Sequence, residues 1–187
     1  MTIAVVTPAL PSRGVMLAEC VASIAAQTLP PVVHLVGIDH EKVGTARTKT
    51  RLCHATDAKW VATLEDDDLA DNYHLSVLAE RAAGGADIIY SWCRVEGRDG
   101  WNPNSPFDAD RLRRGNFIPS TALIRRELIV ALGGWKDSAD VPHGWDDWNF
   151  WLRALDAGAR FACVPQVTWT YRFHGGNKTL NGEESCF

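Results

Sequence analysis

Apolar and polar positions along the chain switch between a period of two and a period of three to four residues. Residues 3–7 form a short β-branched run closed by Pro8, which predicts a first strand, and Pro11, Ser12 and Gly14 mark the turn after it. Leu17, Cys20, Val21, Ile24 and Ala25 then recur at helical spacing, giving an amphipathic helix that ends near Gln27, before Pro30 and Pro31. Residues 32–38 are almost all apolar and predict a strand buried on both faces, with Asp39 and His40 at its end. A weakly amphipathic helix over 43–58 and a strand over 60–64 follow. This alternation of strand and helix implies right-handed crossovers and a parallel sheet covered by helices.

Beyond residue 68, Leu75, Leu78, Ala79 and Ala82 predict a helix stopped by Gly84 and Gly85, and residues 87–93 a further strand. The pattern is lost over 94–117, where Gly97, Gly100, Asn102, Pro103, Asn104 and Pro106 fill a long loop with Arg111, Arg113 and Arg114 near its end. A short strand over 121–124 and a short helix over 125–132 come next, closed by Gly133 and Gly134. The helix over 145–157 puts Trp148, Trp151, Leu152 and Leu155 on one face. Two final strands, 160–164 and 167–173, lead to His174 and a polar tail from 175 to 187. The fold class expected is α/β in one domain, a mixed, mostly parallel sheet of Rossmann-like kind flanked by helices.

Composition narrows the function. Hydrophobic residues make up 46% and charged residues 22% of 187, which suits a globular domain with a substantial core. A formal net charge of −4 argues against a general nucleic-acid binder. The N-terminus has no basic region before its short apolar run, so it is not read as a secretory signal, and no stretch approaches the ~20 apolar residues of a membrane span. The cysteines at 20, 53, 93, 163 and 186 are odd in number and widely spaced, with no CxxC pair. They read as reduced thiols in a cytoplasmic protein.

The chemistry concentrates where the apolar run 60–64 meets Glu65, Asp66, Asp67 and Asp68. Four adjacent carboxylates repel one another and raise each other's pKa, so a positive partner should offset them. A hard divalent cation, Mg²⁺ or Mn²⁺, prefers such oxygen ligands and often bridges carboxylate to phosphate. In open α/β sheets the C-terminal ends of strands are also where ligands bind. The competing reading is a solvated acidic loop that caps the next helix through Asp68 or Asp71.

Taken in order, these segments resemble the family 2 glycosyltransferases of GT-A fold over nearly the whole chain, from Val6 to about Asn177. Thr7, Pro8 and Arg13, the run Ser23-Ile24-Ala25-Ala26-Gln27-Thr28, Asp39, and Gly44-Thr45-Ala46-Arg47 resemble the nucleotide-binding part, although Thr48 stands where the family carries Asn. Leu64 with the acidic tetrad resembles the DXD motif, in a register that fits Glu65 and Asp67 or, shifted by one, Asp66 and Asp68. Gly115-Asn116-Phe117, residues 121–125 and Gly133-Gly134-Trp135 are similar to the acceptor-facing stretch. Trp145-Asp146-Asp147-Trp148 resembles the acidic pair whose second member acts as base, and Tyr171-Arg172-Phe173-His174 the closing motif whose His reaches the metal.

The resemblance implies a nucleotide-binding part over about 1–93 and an acceptor part over about 94–174. It implies a metal-dependent, inverting transfer from a nucleoside-diphosphate sugar to a glycan, protein or other polymer. Asp147 would be the base, with Asp146 its rival. Asp67 would hold the metal with His174, assisted by Asp68 or Asp66; an imidazole ligand leans towards Mn²⁺. Thr7, Pro8, Arg13, Asp39, Arg47, Glu65, Asp66 and Asp67 would serve the nucleotide, and Trp145, Gly134 and Trp135 the acceptor. Each has a plain structural reading beside it. Acidic residues in a first helical turn stabilise the helix dipole, Arg47 with Lys49 and Arg51 could form a solvated basic face, and His174 could be an exposed terminal histidine. A nucleotidyltransferase, or a nucleotide- or glycan-binding module without catalysis, are the alternative functions. Pro11-Ser12-Arg13-Gly14 is a poor phosphate loop for the former.

Overall fold

The protein was analysed as a computed structural model that describes residues 1–141 and 145–177. The greater part of the expected tail, with Cys186, lies outside the described residues. The elements run β1 (Ile3–Ala9), α1 (Gly14–Ala25), β2 (Val33–Ile38), α2 (Thr45–His54), β3 (Trp60–Thr63), β4 (Leu69–Ala70), α3 (His74–Ala82), β5 (Ile88–Glu96), α4 (Ala109–Arg114), β6 (Leu123–Arg125), α5 (Arg126–Ala131), α6 (Asp146–Asp156) and β7 (Phe161–Arg172).

Seven strands form one sheet in the order β2-β1-β3-β6-β5-β7-β4. β1 pairs in parallel with β2 and β3, and β5 with β7, while β6 runs antiparallel between β3 and β5. β1, β2, β3, β5 and β7 therefore point the same way, and only β6 and the two-residue β4 oppose them. Alternation along the strands divides the side chains between two cores. Ile3, Val5, Trp60, Ala62, Ile89 and Leu123 meet Cys20 and Ile24 of α1 and Leu75 and Leu78 of α3. Val6, Val61, Ile88, Tyr90 and Ile124 meet Leu52 and Cys53 of α2, Ile129 of α5, and Trp148, Phe150 and Trp151 of α6.

Four sequence expectations change. The strand expected to be buried on both faces, β2, is the sheet edge and is partly exposed, because no further strand follows it in the order. The two final strands are one: Ser91 pairs with Val164 and Trp92 with Val167, so Pro165 and Gln166 bulge out of a continuous β7. Proline has no N–H for the ladder, and the bulge absorbs it. The loop 94–117 is shorter than expected. β5 extends to Glu96, and Asp108 caps α4 by accepting the Arg111 N–H at 2.8 Å. β4 has no signature of its own in the sequence; its two residues are strand only because β7 is there to pair with.

Candidate active site

A cleft of about 240 Å³ opens where the five co-directional strands end, the edge at which open α/β sheets bind ligands. Register decides what meets on its floor. Val6 lies beside Thr63 in parallel pairing, so the chain leaving β1 runs along the acidic tetrad that follows β3. The Leu10 N–H donates to Asp66 Oδ2 at 2.7 Å, and Arg13 Nη1 donates to Asp66 Oδ1 at 2.8 Å and Asp67 Oδ2 at 2.5 Å. The pairing of Leu69 with Thr170 lays the end of β7 on the same carboxylates. There the Arg172 N–H donates to Asp68 Oδ1 at 3.1 Å, its guanidinium donates to the Asp67 carbonyl, and His174 Nε2 lies 3.1 Å from Asp67 Oδ2.

Glu65 turns to the other wall. Its Oε1 accepts from Ser120 Oγ at 2.7 Å and meets Lys49 Nζ at 2.9 Å, and Lys49 also donates to Ser120 Oγ at 2.8 Å. Burial and the neighbouring carboxylates raise Asp67 and Asp68 above the usual carboxylate range, with Arg13 pulling the other way at Asp67 and the Arg172 N–H at Asp68. Burial works against the Lys49 charge, but Glu65, Asp146 and Asp147 together more than offset it, so the ammonium holds its proton more strongly than usual.

Across the cleft, Asp146 and Asp147 open α6. Asp147 Oδ2 accepts from Asn116 Nδ2 at 3.2 Å and Oδ1 from the Trp148 N–H at 2.7 Å. Burial pushes its carboxyl up to about 6, the adjacent Asp146 adds to the shift, and Lys49 opposes it. A carboxyl with that value, orientated by an amide and facing a cleft, is suited to accept a proton near neutral pH.

The residues singled out in the sequence fall into three groups. Pro8, Arg13, Asp39, Glu65, Asp66, Asp67, Asp68, Trp145, Asp146 and Asp147 line the cleft, and His174 joins them through Asp67. Asp39 also ties its own loop, accepting the N–H groups of Val43 and Gly44 at 2.8 Å each, which lowers its pKa. Thr7 is buried just short of the cleft, its Oγ1 2.9 Å from His34 Nε2, and Arg47 turns away to pair with Asp137 at 2.8 Å.

Gly134 and Trp135, expected at the acceptor, are in the core instead. Trp135 stacks on Phe150 with ring centroids 4.3 Å apart, and its N–H donates to Thr50 Oγ1 at 2.9 Å. Gly134 has φ +73°, and a Cβ there would come within 2.3 Å of Thr50. Arg111, Arg113 and Arg114 do not line the cleft, and Arg113 pairs with Asp156 at 2.9 Å.

Lys49, read as part of a solvated basic face, is buried, at 1% exposure. A signal for this was present: Ala46, Lys49 and Cys53 are spaced as one helical stripe, and all three are buried. Asn116 and an aromatic wall of Tyr90, Trp92, Trp101, Trp169 and Tyr171 also line the site. Asn116 and Tyr171 stand in the stretches that resemble the acceptor-facing and closing motifs, whereas nothing in the local sequence marks Tyr90, Trp92, Trp101 or Trp169.

Asp67 Oδ2 and His174 Nε2, 3.1 Å apart, are a donor pair that could hold a divalent cation such as Mn²⁺ or Mg²⁺. The described residues contain no group of three His, Cys, Asp or Glu placed to hold a metal. Such an ion would take its remaining ligands from phosphate oxygens and water.

No protein-family model and no curated protein matches the chain in sequence. Solved structures do match in shape. The crystal structure of S. aureus TarS residues 1–349 in complex with UDP-GlcNAc superposes with a TM-score of 0.76 at 13% identity, covering 98% of this chain and 62% of that one. The complex of the same TarS segment with UDP gives a TM-score of 0.73 at 13% identity, covering 92% and 61%. The fold is GT-A. The chain spans about three fifths of the length of those two TarS segments, and the likeness is one of fold. Among the described residues no helix is long and apolar enough to cross a membrane.

Proposed function

We propose that the chain is a glycosyltransferase that moves a sugar from a nucleoside-diphosphate donor, UDP-linked as in the TarS complexes, to an acceptor hydroxyl by direct displacement with inversion. The observation that carries this reading is one cleft with an acidic floor at the end of β3 and a carboxyl poised near pH 6, Asp147, on its opposite wall.

The donor diphosphate would lie towards the floor, where Arg13 offers a guanidinium fork and Asp67 with His174 would hold Mn²⁺ or Mg²⁺. When bound, the ion neutralises charge that develops on the departing diphosphate. Asp39 and the turn it ties face the nucleoside. Trp145 and the aromatic wall face the acceptor. The Asp147 carboxylate takes the acceptor hydroxyl proton as the oxygen bonds to the anomeric carbon, and the bond from that carbon to the diphosphate oxygen breaks with its electron pair leaving on the diphosphate. Glu65 is held off the floor by Lys49 and Ser120 and is not assigned to the ion.

Thermal denaturation with UDP, other nucleoside diphosphates and MnCl₂ tests the donor, since a ligand specific to the folded state raises stability by RT ln(1 + [L]/Kd). A rise with UDP and Mn²⁺ together is expected. No rise with any nucleotide, with or without metal, would sink the reading. Asp147→Asn separates catalysis from mere binding: nucleotide affinity should persist while turnover collapses.

A further inference from the structure

The oxygen best placed to hold a cation is already in use. Asp67 Oδ2, 3.1 Å from His174 Nε2, accepts from Arg13 Nη1 at 2.5 Å, and the same Nη1 reaches Asp66 Oδ1 at 2.8 Å. The other guanidinium nitrogen, Nη2, donates to the Gly176 carbonyl at 2.7 Å. Gly176 belongs to a short strap after β7 that lines the cleft with Asn177 and is closed on itself: the His174 N–H donates to Asn177 Oδ1 and Asn177 Nδ2 donates to the Arg172 carbonyl. One arginine therefore neutralises two floor carboxylates and pins the strap over them.

A divalent ion and a guanidinium are both positive, so an ion bound at Asp67 Oδ2 repels the guanidinium already 2.5 Å from that oxygen and favours its displacement. An ion arriving alone must evict Arg13 and leave it facing bare solvent at a partly buried site. An ion arriving with a diphosphate gives the displaced fork an anionic partner of matching geometry.

We propose that Arg13 holds the place of the cation in the free protein, so that the divalent ion and the donor diphosphate load together and their loading releases the 173–177 strap. This rests on the reading of the cleft as a diphosphate and cation site. Arg13 is thus a positioning residue that makes the two ligands mutually dependent, a coupling that must be reciprocal. The arrangement also keeps a cation-free acidic floor from opening to solvent.

The test is Mn²⁺ titration followed by electron paramagnetic resonance of the free ion, with and without UDP, on the wild type, Arg13→Met and Arg13→Lys. In the wild type, UDP should tighten Mn²⁺ binding by 100-fold or more. Arg13→Met should bind Mn²⁺ without UDP at least 10-fold more tightly than the wild type, with the gain from UDP cut to a few fold. Arg13→Lys, which keeps a charge but not the fork, should fall between them. Hydrogen exchange at 173–177 should quicken in Arg13→Met and in the wild type with both ligands.

Arg13→Met is checked for folding by its thermal transition, which Mn²⁺ alone should raise more than it raises that of the wild type. Equal UDP-free Mn²⁺ affinity in all three proteins would overturn the proposal and leave the donor reading standing. Absence of Mn²⁺ binding in every protein, with or without UDP, would overturn this proposal and the assignment of Asp67 and His174 to the ion, and the donor reading falls with them only if UDP also fails to raise the thermal transition.

Discussion

Asp147 carries the sharpest expectation at the scale of one residue. Its carboxyl is raised to about 6, so it loses its proton, and becomes a base, only as pH rises through that value. Transfer should therefore fall about tenfold for each pH unit below 6 and level off above it, and Asp147→Asn should lower kcat by 10²- to 10⁴-fold while Kd for UDP stays within a few fold. A flat profile between pH 5 and 7 would remove Asp147 from the role. Asn116 contributes by orientating the carboxyl through its 3.2 Å contact to Asp147 Oδ2; the resemblance put Gly115-Asn116-Phe117 near the acceptor but did not give that contact.

His74 is the stability counterpart. It is buried against Thr168 Oγ1 at 2.7 Å, and burial lowers its pKa to about 4. The unfolded chain takes that proton first, near pH 6.5, so the folded state loses stability as pH falls from about 6.5 to about 4, by on the order of 3 kcal/mol. Urea denaturation across that range should show the wild type losing that much stability relative to His74→Gln as pH falls, the raised carboxyls being common to both proteins.

Elements decide which residues face the cleft, and α2 shows how. Thr45–His54 is rich in charge, yet Ala46, Lys49 and Cys53 form its buried stripe. Lys49→Met would take the buried ammonium away from Glu65 and should cost about 3 kcal/mol by urea denaturation, the lower part of the range for a broken buried pair, because 23% of the Glu65 side chain is open to the cleft. Gly134 makes the same point for α5. It was expected at the acceptor because it resembles a motif, but it is glycine because φ is +73° and Thr50 fills the space a Cβ would take. Gly134→Ala should cost about 2 kcal/mol and lower Tm by roughly 4–8 °C without changing Kd for UDP, checked by calorimetry and titration. A change confined to acceptor affinity would return Gly134 to the site.

For the molecule as a whole, one sheet serves both cores. Ile88 and Ile89, adjacent in β5, point into opposite ones. Neither layer can lose its helices without exposing the strands of the other, so calorimetry should show a single cooperative transition, with calorimetric and van't Hoff enthalpies equal. Two transitions would mean that the two layers unfold apart.

The sequence by itself determined the order of elements, the α/β class and the acidic floor. Those are local properties: the period of apolar residues names a strand or a helix, and four consecutive carboxylates need no neighbours to be noticed. The resemblance to the family 2 glycosyltransferases, rather than periodicity, set Arg13, Asp39 and the Asp146-Asp147 pair beside the tetrad, and all of them line one cleft. Tertiary structure alone decided the rest. β2 became an edge, β4 became a strand, Lys49 went inside to Ser120 and Trp135 packed into the core against Thr50, since each outcome depends on a partner more than 60 residues away or on the order of strands across the sheet. The shared grip of Arg13 and His174 on one oxygen of Asp67 is of that kind. It joins three segments that only the pairing of β1 with β3 and of β4 with β7 brings within hydrogen-bond reach.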